Sequence, residues 1–282
     1  MVAALVLAET GRGAGVIEQG SRTVVQAWVP EDRAPEINAR LRRRLRAGGG
    51  ALAAAAQDLT QATVPDDDWS LAWQRHFNAF RVGERLVIRP SWETWPPKDD
   101  PQAARPDDLV LEIDPGGAFG TGTHASTQLA LRALEKVVAP GDTVIDVGCG
   151  SGILSLAALL LGAGRAIAID CDAAAVACAL DNLRRQTLTG RAWVVLADGL
   201  SALRGCAEVI MANITAEAVV GIAGKVTRHL KPGGRYIAAG FLASSLPQIE
   251  PALAACGLRV TDVDHLEGWS SLILSREERG SA

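Results

Sequence analysis

Several features that would assign a function quickly are missing from this sequence. The five cysteines, at positions 149, 171, 178, 206 and 256, form no CxxC pair, and neither they nor the four histidines show metal-ligand spacing. No metal is expected, and reduced thiols point to a cytoplasmic protein. Surplus positive charge is absent too: the formal net charge of −4 argues against a general polyanion binder and against direct DNA binding. Long hydrophobic runs are also lacking. The longest, Ile153–Gly164, is too short to span a bilayer and ends beside Arg165. Met1–Ala8 is apolar but lacks the basic start of a secretory signal. No membrane association is expected, and no internal repeat is evident.

What is present is an ordinary globular composition, 48% hydrophobic and 21% charged over 282 residues, enough for one large or two modest domains. Three zones separate. Residues 1–60 alternate short apolar runs (VAALVLAE, then VVQAWV) with one helix over 34–47, a small α+β unit. In that helix Ile37, Leu41 and Leu45 recur every four residues, giving one apolar stripe. Its arginines, Arg40, Arg42, Arg43, Arg44 and Arg46, form either a solvated basic face or a docking surface for RNA or protein. Residues 61–115 read as a connector: a Trp-rich helix (DDDWSLAWQRHF), a strand (RLVIRPSW) and a Pro/Asp-rich loop. Residues 116–282 alternate strands and helices, which implies an α/β, doubly wound, mostly parallel seven-stranded sheet. The strands are TVIDVG, RAIAID, WVVLAD, EVIMANI and RYIAAGF, followed by an end hairpin of LRVTDVDH and WSSLILSR. The helix over 216–230 is expected to stop at the Lys-Pro-Gly-Gly turn, 231–234.

Two glycine-rich stretches carry the chemistry. GGAFGTGTHAST (116–127) resembles a phosphate cradle, but a P-loop needs Lys-Ser or Lys-Thr after its last glycine, and Thr123-His124 follows Gly122. VIDVGCGSGILS (144–155) is a strand, a tight turn and a helix start. A dinucleotide fingerprint would place a small residue at Ile153; the spacing is instead Gly148, Gly150, Gly152, so an NAD site is disfavoured. The glycines let a ligand approach the backbone, and the helix start offers N–H groups to a carboxylate. Asp170 ends the next strand, where its carboxylate can accept hydrogen bonds from ribose hydroxyls. With Asp146 ahead of the turn, this set points to S-adenosylmethionine. Asp198 ends the third strand and either bonds an adenine amino group or simply starts a turn. Asn213 ends the fourth, where reacting groups sit in such sheets, and either serves the reaction or caps the next helix.

DPGGAFGTGTHAST, VIDVGCGSGILS, AIAIDCD and MANITAE, taken together, resemble the PrmA family, the methyltransferases of ribosomal protein L11. WSLAWQRHFNAFRVGERLVIRPSWE and GWSSLILSR extend the resemblance over roughly residues 66–276. It implies a class I, S-adenosylmethionine-dependent protein-lysine methyltransferase, acting on lysine and N-terminal amines of L11 in the cytoplasm, as a monomer. It further implies that Thr127, Gly148, Asp170 and Asn213 contact the cofactor, with Gly150 and Asp198 beside them. The AFGTGTH loop would fold over the methionine end through Phe119, Gly120 and Thr123. Thr127 would lie on the first turn of a helix whose N-terminus favours the carboxylate by ~0.3–1 kcal/mol. His124 would cap or shape that loop, or act as a base.

Two departures stand out. The helix that family members carry between their first two strands is missing between VAALVLAE and GRGAGVIEQG, which bears on substrate docking in residues 1–60. ANITAE also sets a hydroxyl, Thr215, near the transfer site. Asn213 is the expected catalytic residue, holding a neutral amine toward the methyl group. Two rival readings stay open: methylation of a small molecule or another protein, and a non-catalytic nucleoside-binding module.

Overall fold

The computed structural model describes residues 14–19, 22–27, 29, 31–56, 58–60, 78–98, 100, 103–114 and 120–276. The apolar run at 2–9, the Trp-rich helix at 66–77 and Phe119 lie outside the described residues. The chain divides into two compact units, Met1–Arg75 and His76–Ala282.

In the first unit, β1 (Ala14–Gln19) and β2 (Arg22–Ala27) form an antiparallel hairpin, followed by α1 (Ala34–Ala47) and α2 (Gly50–Ala55). The α1 stripe is where the four-residue spacing puts it: Ile37, Leu41 and Leu45 are buried, and Val25, Ala27, Val29 and Leu59 pack on Ile37 and Leu41. The arginines are not one uniform face. Arg42 takes Asn38 Oδ1 at 2.9 Å and reaches across to the carbonyls of Ala56 (3.0 Å) and Leu59 (2.7 Å), tying the segment after α2 back onto α1. The second short helix is a finding beyond the sequence; its Gly-Ala composition has no polar face to give it a period.

The second unit opens with β3 (Phe80–Val82), β4 (Leu86–Arg89) and β5 (Leu109–Glu112), a three-stranded sheet in that order. Only β4 was legible in advance. The end of the Pro/Asp-rich stretch is pinned by an ion pair, Arg81 holding Asp108, and a second pair, Arg89 with Glu112, joins β4 to β5 beyond it. The Arg81 guanidinium keeps the Asp108 carboxyl well below the usual carboxylate range.

The large sheet follows α3 (Ala125–Val137). Its elements are β6 (Thr143–Val147), α4 (Ile153–Leu160), β7 (Arg165–Asp170), α5 (Ala173–Arg185), β8 (Ala192–Leu196), β9 (Ala207–Asn213), α6 (Ala216–His229), β10 (Leu230–Leu242), α7 (Leu246–Ala255), β11 (Leu258–Leu266) and β12 (Trp269–Arg276). The strand order is β11-β12-β10-β9-β6-β7-β8. Pairing is parallel from β10 to β8, with β12 antiparallel between β10 and β11. The chain runs outward from β6 through β7 to β8, then returns to β9 on the other side of β6. The carboxyl ends of β6 and β9 therefore flank the topological switch point, where ligands bind in such sheets.

Alternation along the central strands feeds both faces. On one, Ile145, Val147, Ile210, Ala212, Tyr236 and Ala238 pack with Val219, Ala223 and Val226 of α6 and with Ile249 and Leu253 of α7. On the other, Ala168 packs with Cys149 and Ala179 of α5. The helix over 216–229 passes directly into β10 instead of ending in a free turn. Lys231–Gly234 is absorbed as an irregularity in the β9 pairing, between Leu230 and Arg235.

Candidate active site

The glycine turn after β6 is built by its own backbone. Gly148 sits at φ +75°, and a Cβ there would lie 2.6 Å from Ile214 Cγ2, so only glycine lets the two strand ends approach. The N–H groups of Gly148 and Cys149 both donate to Ile169 O, at 2.8 and 3.0 Å. Gly152 faces Ala179, to which a Cβ would come within 3.0 Å, so this third glycine sets the close packing of α4 on α5.

Asp170 ends β7 beside the turn. Its Oδ2 accepts from Gly150 N at 2.9 Å and its Oδ1 from Asp172 N at 3.0 Å. A carboxylate offers about four acceptor sites, so two such bonds brace the turn and leave capacity for further donors. Asp146 is fully buried one strand inward and accepts from Ser155 N (3.2 Å) and Ser155 Oγ (2.8 Å). Part of the α4 first-turn donor set, expected to face an anion, is thereby already used. Burial pushes the Asp146 carboxyl up to about 7; the Ser155 bonds oppose that rise and the Asp170 charge adds to it.

Across the switch point stands Asn213, the last residue of β9. Its Nδ2 donates to Thr127 Oγ1 at 3.2 Å, and Thr127 is fully buried in the first turn of α3. Among the described residues, Asn213 Oδ1 is buried with no hydrogen-bond partner. The capping alternative is answered elsewhere: Thr215 caps α6, accepting from Ala218 N at 3.4 Å. Thr215 is therefore the cap of α6, two residues past Asn213.

The loop before α3 is anchored from three sides. Gly120 O accepts from Ser151 Oγ at 2.7 Å, joining the loop to the glycine turn. Thr121 and Thr123 bond each other through their hydroxyls at 2.7 Å, and Gln128 Nε2 donates to Thr123 O at 3.0 Å. His124 is the α3 N-cap, its Nδ1 accepting from Ser126 N at 3.3 Å, and its ring meets Trp269 edge-on at 4.6 Å. Capping, not base chemistry, accounts for that nitrogen. Asp198 is exposed ahead of a short 3-10 turn, with no side-chain cap bond. A cleft of about 440 Å³ opens beside the loop, lined by Gly120, Thr121, Thr123, His124, Ala125, Glu267 and Trp269. Among the described residues no cluster of His, Cys, Asp or Glu is placed to hold a metal, and no helix is long and apolar enough to cross a membrane.

The structure thus brings Thr127 to Asn213, and Gly148 and Gly150 to Asp170. Asp198 stands two residues past the end of β8, ahead of the 3-10 turn, and does not end the strand as expected; Gly120 and Thr123 lie in the loop. Ser151 and Asn182 escaped the sequence reading. Asn182, buried in α5, donates to Ser151 O at 2.9 Å and accepts from Asp114 N at 3.1 Å. The signal for Ser151 was its place between two glycines of the second motif.

A parallel sheet with this strand order, its last strand inserted antiparallel, and a glycine turn followed by an acid at the next strand end define a class I methyltransferase. Comparison with known proteins makes the class specific. The family model "Ribosomal protein L11 methyltransferase (PrmA)" matches residues 10–277, and the chain belongs to that family. It is 42% identical over 217 residues to the ribosomal protein L11 methyltransferase of Pelotomaculum thermopropionicum, covering 77% of this chain and 68% of that protein. It is 38% identical over 253 residues to that of Geobacter metallireducens, covering 89% and 81%. The crystal structure of the ribosomal protein L11 methylase of Lactobacillus delbrueckii subsp. bulgaricus superposes with a TM-score of 0.64 at 31% identity, over 72% of this chain and all of that one.

Proposed function

We propose that this chain transfers methyl groups from S-adenosylmethionine to lysine side-chain and N-terminal amines of ribosomal protein L11, in the cytoplasm. The observation that carries the reading is Asn213. A buried amide whose nitrogen is fixed by Thr127, and whose oxygen has no partner among the described residues, is suited to a donor that arrives with a substrate.

The donor set suits a nucleoside cofactor that bears a carboxylate. Asp170 has acceptor capacity left for ribose hydroxyls, Gly148 and Gly150 permit close approach, and Asp198 is exposed two residues past the end of β8 for an adenine amino group. Thr127, Gly120 and Thr123 belong to the end of the site that would hold the methionine part, a role also proposed for Phe119, and the α3 N-terminus there favours negative charge. When bound, the cofactor supplies an electrophilic methyl group on a sulfonium.

The chain's own work is positioning. An acceptor amine must reach the site neutral, and removing its proton from pKa ~10.4 at pH 7 costs about 4.6 kcal/mol at 1.36 kcal/mol per unit. Asn213 accepts one N–H of the neutral amine through Oδ1 and so fixes the direction of its lone pair. Thr127 fixes Asn213. The proton passes to water, and partial desolvation of the amine lowers the cost. Residues 1–60 are assigned to presenting the ribosomal protein, and residues 116–282 to cofactor binding and transfer.

A labelled-methyl assay on ribosome-containing cell extract tests this reading. Label on L11 is the expected result. Label confined to another protein or to small molecules would move the substrate class, and no label at all would reduce the chain to a nucleoside-binding module.

A further inference from the structure

The cleft beside the loop has one wall that the cofactor site does not explain. Glu267 and Gly268 join β11 to β12 in a two-residue turn with both residues at positive φ, +50° and +80°. Those signs are the ones a type I′ hairpin turn needs, and they favour Asn, Asp or Gly at the first position. A glutamate there holds a conformation that an L side chain rarely adopts. Glu267 nevertheless lines the cleft and is exposed, and among the described residues its carboxylate has no hydrogen-bond or ion-pair partner. Turn chemistry does not select this residue, and among the described residues no hydrogen bond or ion pair does.

The start of α3 lies between the cleft and Asn213. His124 lines the cleft, and Thr127, three residues on and therefore about one helical turn away, is bonded to Asn213. One end of the first turn of α3 thus faces the cleft and the other holds the Asn213 amide.

We propose that Glu267, with Trp269 beside it, is a specificity-determining residue that captures the acceptor in its ammonium form at the rim of this cleft; this rests on the amine-acceptor reading above. An ammonium is a compact point charge with three donors. A carboxylate is a pure acceptor, and an aromatic ring adds attraction for a cation. The same carboxylate stabilises the protonated amine, which opposes transfer, so it belongs at the rim and not beside the methyl group. The amine leaves it, gives its proton to water, and meets only the neutral amide of Asn213. Glu267 therefore acts on capture, with no part in the transfer step.

Two variants separate charge from turn geometry. Glu267→Gln keeps the size and the strained turn but removes the charge; Glu267→Asn removes the charge and suits the turn. Both are expected to raise KM for purified L11 on the order of five-fold at low salt, because a rim charge acts on encounter. Both should leave kcat at saturation and cofactor affinity unchanged, and make kcat/KM less sensitive to added salt. Glu267→Asn should melt at or above the wild-type temperature. Wild-type KM and salt dependence in both variants would overturn the inference, and so would a rise in KM confined to Glu267→Asn, which would assign the effect to the turn. Wild-type enzyme that leaves L11 unlabelled would overturn the proposed function, and this inference with it.

Discussion

Replacing Thr127 by Val removes one oxygen and almost no volume from a fully buried site, and it is expected to damage turnover more than stability. The lost hydroxyl is the acceptor for Asn213 Nδ2 at 3.2 Å, and Asn213 Oδ1 already lacks a partner among the described residues. An unmet buried donor costs ~1–3 kcal/mol, which the amide can escape only by turning from its aligned position. If that cost falls on the transition state, turnover drops about tenfold to a hundredfold, since 1.36 kcal/mol corresponds to a factor of ten. Asn213→Ala removes the amide itself and is expected to lower turnover about 10²-fold, roughly 2.7 kcal/mol. The decisive comparison is the double variant. Two residues acting as one unit should show coupling of about 1.4 kcal/mol or more, leaving Thr127→Val with Asn213→Ala no slower than Asn213→Ala alone. Single-turnover methyl transfer at saturating cofactor is the assay, with calorimetry of cofactor binding beside it. Thr127→Ser, which keeps the hydroxyl, should recover most of the rate. Losses that simply multiply in the double variant would refute the idea that Thr127 works through Asn213.

Two further outcomes follow from the turn after β6. Asp170→Ala should weaken cofactor binding at least tenfold, about 1.4 kcal/mol, as charge-assisted hydrogen bonds are lost, and should also lower Tm because Gly150 N and Asp172 N lose their acceptor; unchanged affinity by calorimetry would remove Asp170 from the site. Asp146, raised by burial to about 7 from 3.8, binds its proton more tightly folded than unfolded. Its contribution to stability is therefore fully present at low pH and is lost as pH climbs through the window from about 4 to about 7. Asp146→Asn cannot ionise, so the Tm of the variant should rise relative to wild type between pH 5 and pH 8, and parallel Tm curves would contradict the assignment.

The catalytic sheet was legible in the sequence because its central strands are short apolar runs followed by a glycine or a polar residue, and α5 and α6 carry apolar stripes between polar positions. Asp170 and Asn213 were readable for the same reason: a polar residue ends an apolar strand. The three-stranded sheet of 80–112 was harder to read. β3 and β5 are three and four residues long, and β5 follows a Pro/Asp-rich stretch whose order comes from Arg81 and Asp108, 27 residues apart in sequence. The link from Thr127 to Asn213 spans 86 residues and was invisible to any local pattern. The resemblance named both as cofactor contacts; only the fold shows that they bond each other. The roles of Thr215 and His124 as helix caps were similarly undecided until the helix starts were fixed to the residue. Glu267 gave no signal, since a lone glutamate before glycine reads as an ordinary surface turn.

The central claim is that this chain methylates amines of ribosomal protein L11 with S-adenosylmethionine as donor. The most direct measurement is intact-mass and peptide mass spectrometry of purified, unmethylated L11 after incubation with the enzyme and cofactor. The expected result is added mass in whole multiples of one methyl group, localised to lysine side chains or the N-terminal amine and absent with Asn213→Ala at short times. L11 of unchanged mass under conditions where the enzyme binds the cofactor would contradict the claim.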